Sequence, residues 1–188
     1  KLGVKGDSHQ ELRRALRPYQ LSTLLDANEG LSEAPDAIAA KVHEGGHGLW
    51  DIVQLHPTYS YEDFVRGLIA EPTPDGQNVT FRAVNRVLGL LAAVATELAR
   101  DDAPLPVVLI IDEINRGDLS KVLGELIYAL EYRDEMVLTP YAVEGQPGLT
   151  LPAKNLYIIG TMNTADRSIA LVDYAIRRRF AFVQLNPS

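Results

Sequence analysis

Val107-Val-Leu-Ile-Ile111 is a run of five aliphatic residues that ends in two adjacent carboxylates, Asp112 and Glu113. No polar residue alternates within it, so both faces of the strand it predicts must be covered. That is the pattern of a central strand in a parallel sheet. Trp50-Asp-Ile-Val-Gln-Leu55 reads as a further strand, and Leu156-Tyr-Ile-Ile-Gly160 as another buried one.

Helical patterns lie between these runs. Residues 81–100 place Val84, Val87, Leu88, Leu91, Ala95 and Leu98 at three- and four-residue steps, the period of one helix face. Residues 119–130 repeat the pattern, with Asp118 placed to cap the start. A helix is expected over 60–69 and a short one over 168–177, with a turn-rich loop over 72–78. Residues 136–151 read as a hairpin or extended insertion, and 180–185 as a last strand. Short helices over 9–17, 19–25 and 34–44, broken by Pro18, Gly30 and Pro35, lead into a flexible Glu44-Gly-Gly-His-Gly48 joint. The expected class is α/β: a parallel sheet flanked by helices, with a peripheral helical segment over 1–48 and the core over 49–188.

At 188 residues and 46% hydrophobic content, the chain has material for one such domain. It has no cysteine, which removes disulfides, zinc-thiolate sites and thiol nucleophiles and fits a reducing compartment, so the cytoplasm is the expected location. No run of about 18 apolar residues occurs, and residues 1–10 lack a signal core, so neither membrane insertion nor secretion is expected. A net charge of −7 argues against a broad basic surface for nucleic acid. His9, His43, His47 and His56 form no metal-binding helical pair.

Three stretches carry chemistry. The first is the strand end at Asp112 and Glu113, since open α/β sheets bind ligands at the carboxyl ends of their strands. It looks like a Walker B motif, in which Asp112 holds Mg²⁺ through its water shell and Glu113 orients or deprotonates the water attacking a γ-phosphate. The second follows the last buried strand, at Thr161-Met-Asn163-Thr164-Ala-Asp166-Arg167-Ser168. A neutral Asn163 can bond a γ-phosphate or water that an acid would repel, the sensor-1 role, while Asp166 or Ser168 can also cap the next helix. The third is Arg177-Arg178-Arg179, three guanidinium groups where a helix gives way to a strand. One is expected to reach a neighbour's nucleotide as an arginine finger; helix-end electrostatics accounts for one or two of them, and spacing does not say which.

Together, Ile111-Asp-Glu-Ile-Asn-Arg116, Asp118-Leu-Ser-Lys-Val122, Met162-Asn-Thr-Ala-Asp-Arg-Ser168 and Asp173-Tyr-Ala-Ile-Arg-Arg-Arg-Phe180 resemble the McrB family in order and spacing. His56-Pro-Thr-Tyr-Ser-Tyr-Glu-Asp-Phe64 resembles that family's Tyr-Ser-Tyr-Glu-Asp-Phe stretch, so the likeness runs from about Trp50 to Pro187. The resemblance implies a dynein-related AAA+ fold, usually in a hexameric ring, hydrolysing GTP or ATP with Mg²⁺. It also implies an McrC-like nuclease partner, with DNA engaged only through a separate domain. Asp112, Asn163, Thr164, Asp166 and Arg167 would contact nucleotide or its metal, and Glu113, Asn163 and an arginine among 177–179 would act in hydrolysis.

The pattern Gly-x-x-x-x-Gly-Lys-Ser/Thr is not found in the 188 residues; Gly45-Gly46-His47-Gly48 lacks the following Lys-Ser/Thr. In the family that loop precedes the strand resembling residues 50–55, together with the sheet's first strand. A chain without it is expected to bind nucleotide poorly. Two other readings remain: a MoxR-like or dynein-related remodelling ATPase, and an assembly module with an inactive nucleotide site.

Overall fold

The computed structural model describes residues 18–28, 30–31, 34–163 and 173–185. In chain order the elements are β1 (Tyr19–Gln20), α1 (Leu21–Asp26), α2 (Pro35–Gly45), β2 (Leu49–Gln54), α3 (Tyr61–Phe64), β3 (Arg66–Pro72), β4 (Val79–Asn85), α4 (Val87–Leu98), β5 (Val107–Asp112), α5 (Leu119–Leu123), α6 (Leu126–Glu131), β6 (Met136–Val143), β7 (Gln146–Thr150), β8 (Leu156–Gly160) and α7 (Tyr174–Arg177). The central sheet is parallel throughout, in the order β1-β2-β5-β8. Antiparallel hairpins β3–β4 and β6–β7 stand beside it. The α/β expectation therefore holds: a parallel sheet flanked by helices.

The core explains the arrangement. Val107, Leu109 and Ile111 of β5 are 0%, 0% and 1% exposed, and α4 packs Leu88, Leu91, Val94, Ala95 and Leu98 into the same cluster. Each leucine so buried stabilises the fold by about 1.5–3 kcal/mol. Leu21, Leu24, Ile38 and Val42, from before residue 48, share that core. Asn155 clamps the entry to β8, its Nδ2 donating to the carbonyls of Ala95 (2.9 Å) and Leu105 (3.3 Å).

Several expected elements change form. The helix expected over 60–69 is a single turn, α3, followed by β3. Ser60 and Asp63 build a capping box that starts it. The chain then turns back so tightly that a Cβ on Gly67 would lie 2.4 Å from the Glu62 carbonyl oxygen. The helix expected from residue 81 starts at Val87, because residues 79–85 pair with β3, Val84 opposite Gly67. Long-range pairing overrides the spacing there.

The helix expected over 119–130 is broken into α5 and α6 at Gly124, whose φ of 53° and ψ of −129° suit glycine alone. The Tyr61 ring fills the space where its side chain would be, 3.2 Å from an ideal Cβ. The first two residues of the helix expected over 19–25 are instead β1. Residues 180–185 form no strand, and Phe182, Val183 and Leu185 are 52%, 82% and 88% exposed. In β8 only alternate residues are covered: Leu156 and Ile158 pack against the core, while Tyr157 and Ile159 on the opposite face are each 51% exposed; β8 pairs on its β5 side alone among the described residues. The helices expected over 9–17 and at 168–172 lie outside the described residues.

Asp63 gives a pH test of the capping box. Its carboxylate accepts from Ser60 Oγ at 2.7 Å and Ser60 N at 3.1 Å, and these bonds hold its pKa below the ordinary carboxylate value. A depressed folded-state pKa stabilises above the unfolded value and is lost as pH falls through the folded one. Ser60→Ala is therefore expected to lower stability most near neutral pH, the gap to the unsubstituted chain narrowing below about pH 4 in urea titrations. A gap independent of pH would reduce Ser60 to a cap for the Asp63 amide alone.

Candidate functional site

The carboxyl ends of β2, β5 and β8 are level: Gln54 pairs with Asp112, and Ile111 with Gly160. Backbone bonding continues past the strands, from Leu55 N to the Asp112 carbonyl (3.0 Å), Thr161 N to the Ile111 carbonyl (2.9 Å) and Ile114 N to the Thr161 carbonyl (2.9 Å). Ile114, 6% exposed, tucks beneath Gly160, where an ideal Cβ would stand 2.6 Å from its Cδ1. The turn after β5 is thus anchored below by an apolar side chain and presents its polar groups above.

Asp112 and Glu113 are both half-buried there. The Thr161 hydroxyl donates to Asp112 Oδ1 and accepts from Glu113 N at 3.3 Å, so one side chain ties both residues to the end of β8. Glu113 has φ 52°, a left-handed conformation that costs a non-glycine residue on the order of 1 kcal/mol. Its Oε2 accepts from Gln54 Nε2 at 3.0 Å and pairs with Arg116 Nη1 at 3.0 Å. Asn115 is buried beside them, and its Oδ1 has no hydrogen-bond partner among the described residues.

Of the residues singled out in the sequence, the structure brings Asp112, Glu113 and the start of the Thr161–Asn163 stretch to one edge. Asn163 is exposed at the end of that stretch. Thr164, Asp166, Arg167 and Ser168 lie outside the described residues. No group of three or more His, Asp or Glu side chains arranged for a metal occurs among the described residues. Asp112 with the adjacent Thr161 hydroxyl still fits Mg²⁺, which uses one or two protein carboxylates and takes its other oxygens from water and phosphate.

The three arginines stand in different surroundings. Arg179 has a side chain 8% exposed, pairs with Glu131 at 2.6 Å and donates to the Ala175 carbonyl, which builds it into the junction of α6 and α7. Arg178 reaches the same Glu131 at 3.2 Å with half its side chain exposed. Arg177 is exposed, its guanidinium carbon 5.8 Å from the Phe182 ring centroid. Asp173 starts α7 by accepting from Ala175 N, and Ser120 of α5 donates to its other oxygen at 3.3 Å.

The AAA domain family of the dynein-related subfamily matches residues 38–180. The chain belongs to that family. It is also 41% identical over 141 residues to the type IV methyl-directed restriction enzyme EcoKMcrB subunit of Escherichia coli (strain K12), a match covering 73% of this chain and 28% of that protein. The McrB-type resemblance of the motifs fits both findings, and the chain spans little more than a quarter of that relative's length.

Gln54, Arg116 and Glu131 had no assigned role in the sequence. Gln54 carries the same signal as Asp112, a polar residue closing an apolar strand, and their register makes them neighbours. Glu131 carries no local signal, because its partners lie 47 and 48 residues away. Thr161→Val removes both the donor to Asp112 and the acceptor for Glu113 N, and is expected to lower stability by about 1 kcal/mol and speed amide exchange at Glu113. Thr161→Ser keeps both bonds and should behave as the parent; a loss in Thr161→Ser with none in Thr161→Val, which retains the methyl, would assign the effect to the methyl group.

Proposed function

We propose that the chain forms most of the nucleotide-hydrolysing core of an AAA+ motor subunit of the McrB type, acting on GTP or ATP. The observation that carries this reading is the meeting of Gln54, Asp112, Glu113 and Thr161 at the level ends of three adjacent parallel strands, with Glu113 held in a left-handed turn. In this reading Glu113 accepts a proton from a water whose oxygen forms a bond to the γ-phosphorus while the bridging bond to the β-phosphate breaks. Asp112 would hold Mg²⁺ through its water shell, and the ion would supply positive charge against the phosphate oxygens. Asn163 orients the water or γ-phosphate with a neutral amide, and Thr164, Asp166 and Arg167 lie close enough in sequence to line the same edge.

The reading requires a phosphate-binding loop in addition to these 188 residues. The edge of β8 away from β5, unpaired among the described residues, is where a further parallel strand would deliver such a loop beside Thr161 and Asn163. An added strand there would also cover part of the exposed Tyr157 and Ile159 and give residues 180–185 a neighbour to pair with.

Arg177 or Arg178 is the arginine we assign to a neighbouring subunit's nucleotide in a ring, of six subunits as the family resemblance implies. Arg179 is committed to Glu131 and to its own helix. From the McrB-like relative we extend the reading to a modification-dependent restriction system, with an McrC-like nuclease subunit as partner and DNA contacted through a separate domain.

In protein that also carries the phosphate-binding loop, Glu113→Gln is expected to keep nucleotide and Mg²⁺ affinity while turnover falls by orders of magnitude. Unchanged turnover in that variant removes Glu113 from the chemistry. Arg177→Ala and Arg178→Ala are each to be mixed with Glu113→Gln. The finger variant should regain activity in mixed rings, because a sound Glu113 then meets a sound arginine across an interface. If neither mixture exceeds its parents although mixed rings form, the arginines do not act in trans.

A further inference from the structure

Arg66 is a fully buried cation that the proposed chemistry does not use. It is 2% exposed, and no carboxylate lies within ion-pair distance of it among the described residues. Burying a guanidinium without a counter-charge is costly unless its donors are satisfied. Here Nε donates to Asn85 Oδ1 at 3.0 Å, across its own hairpin. The rest of the fork enters the other hairpin: Nη1 to Thr139 Oγ1 (2.6 Å) and to the carbonyls of Tyr141 (2.9 Å) and Gln146 (3.0 Å), and Nη2 to the carbonyl of Gly148 (3.0 Å).

The β6–β7 ladder explains why those carbonyls are available. Leu138 pairs with Gly148, but the next pair is Val143 with Gln146, so the register slips in between. The slipped stretch contains Pro140 on one strand and Pro147 on the other, neither with an N–H to donate. The guanidinium supplies the donors that this part of the ladder lacks. Desolvation pushes the Arg66 pKa below the usual guanidinium value, with Tyr61 and Glu125 opposing the shift.

We infer that Arg66 is a positioning residue that pins β3–β4 and β6–β7 into one rigid arm, closing the second hairpin with donors from the first. Its consequence for the site follows from connectivity. β6–β7 joins the α5–α6 pair, which follows Glu113, to β8, which leads to Thr161. The arm is tied to α3 by Tyr141 Oη donating to Glu62 Oε1 (3.3 Å), and α3 is in turn tied to the start of α6 by Tyr61 Oη donating to Glu125 Oε1 (2.7 Å). Displacing either hairpin strands the guanidinium, so the two move together or not at all. This link to catalysis rests on the hydrolytic reading above; the pin itself does not.

The absence of cysteine allows a direct test. Spin labels on Gln77→Cys and Ala142→Cys, one exposed site on each hairpin, report the inter-hairpin distance by electron–electron double resonance. A single narrow distribution is expected with Arg66 present. Arg66→Lys should broaden it, because one ammonium cannot span acceptors arranged for a planar fork. Arg66→Met should broaden it further, and Thr139→Val, which removes one acceptor and leaves the arginine, should fall between Arg66→Lys and the parent.

If Arg66→Met fails to fold, Arg66→Lys and Thr139→Val decide. A distribution that stays narrow in every folded variant overturns the pin. In protein carrying the phosphate-binding loop, Arg66→Lys should lower turnover while nucleotide affinity holds. Broadening with turnover unchanged confirms the pin and overturns its link to the site. Absence of turnover in the unsubstituted protein instead marks failure of the hydrolytic reading and leaves the distance result standing.

Discussion

Parallel pairing of β5 between β2 and β8 is the constraint on which the polar edge depends. Strands that run the same way end on the same side, so three carboxyl termini collect there whatever loops follow them. Valine, leucine and isoleucine buried beneath α4 fix the height at which β5 ends, and with it the position of Asp112. Ile114 then sets the direction of the turn by packing under Gly160. Polar geometry at this edge is therefore a product of apolar packing one layer below.

A second layer of organisation surrounds the segment that leaves β2. Within residues 54–66, Gln54 meets Glu113, Tyr61 meets Glu125 and fills the space beside Gly124, and Arg66 enters the β6–β7 hairpin. This stretch contains the Tyr-Ser-Tyr-Glu-Asp-Phe motif, whose residues here serve capping and packing. Its side chains hold together elements that are far apart in sequence, which is a reason for its polar and aromatic character.

What the sequence made legible follows from how local each signal is. The unbroken run before Asp112 and the stepped leucines of α4 declare themselves within a few residues; the strand appears where expected, and the helix does so from Val87 onward. β3 and β4 did not, because Phe64, Val65, Leu68 and Ile69 can be read with helical spacing and only pairing with residues 79–85 makes part of that stretch a strand. The break at Gly124 was hidden for a similar reason: a glycine within a leucine-rich helical pattern is tolerable until a ring from residue 61 occupies its side. At the site, Asp112 and Glu113 were legible from the strand that delivers them, whereas the differing fates of the three arginines depend on Glu131, a residue with no local mark.

The left-handed backbone at Glu113 sets stability against the proposed chemistry at a single position. Glycine would occupy φ 52° without the side-chain clash that glutamate bears, so the easiest stabilising replacement at residue 113 also deletes its carboxylate. Selection for thermal resistance alone would favour such a change, and on the role proposed for Glu113 selection for turnover would reject it. Position 113 is thus a place where a library screened only for folding should drift away from the parent residue, and that drift would reveal how much conformational discomfort the chain tolerates to keep an acid there.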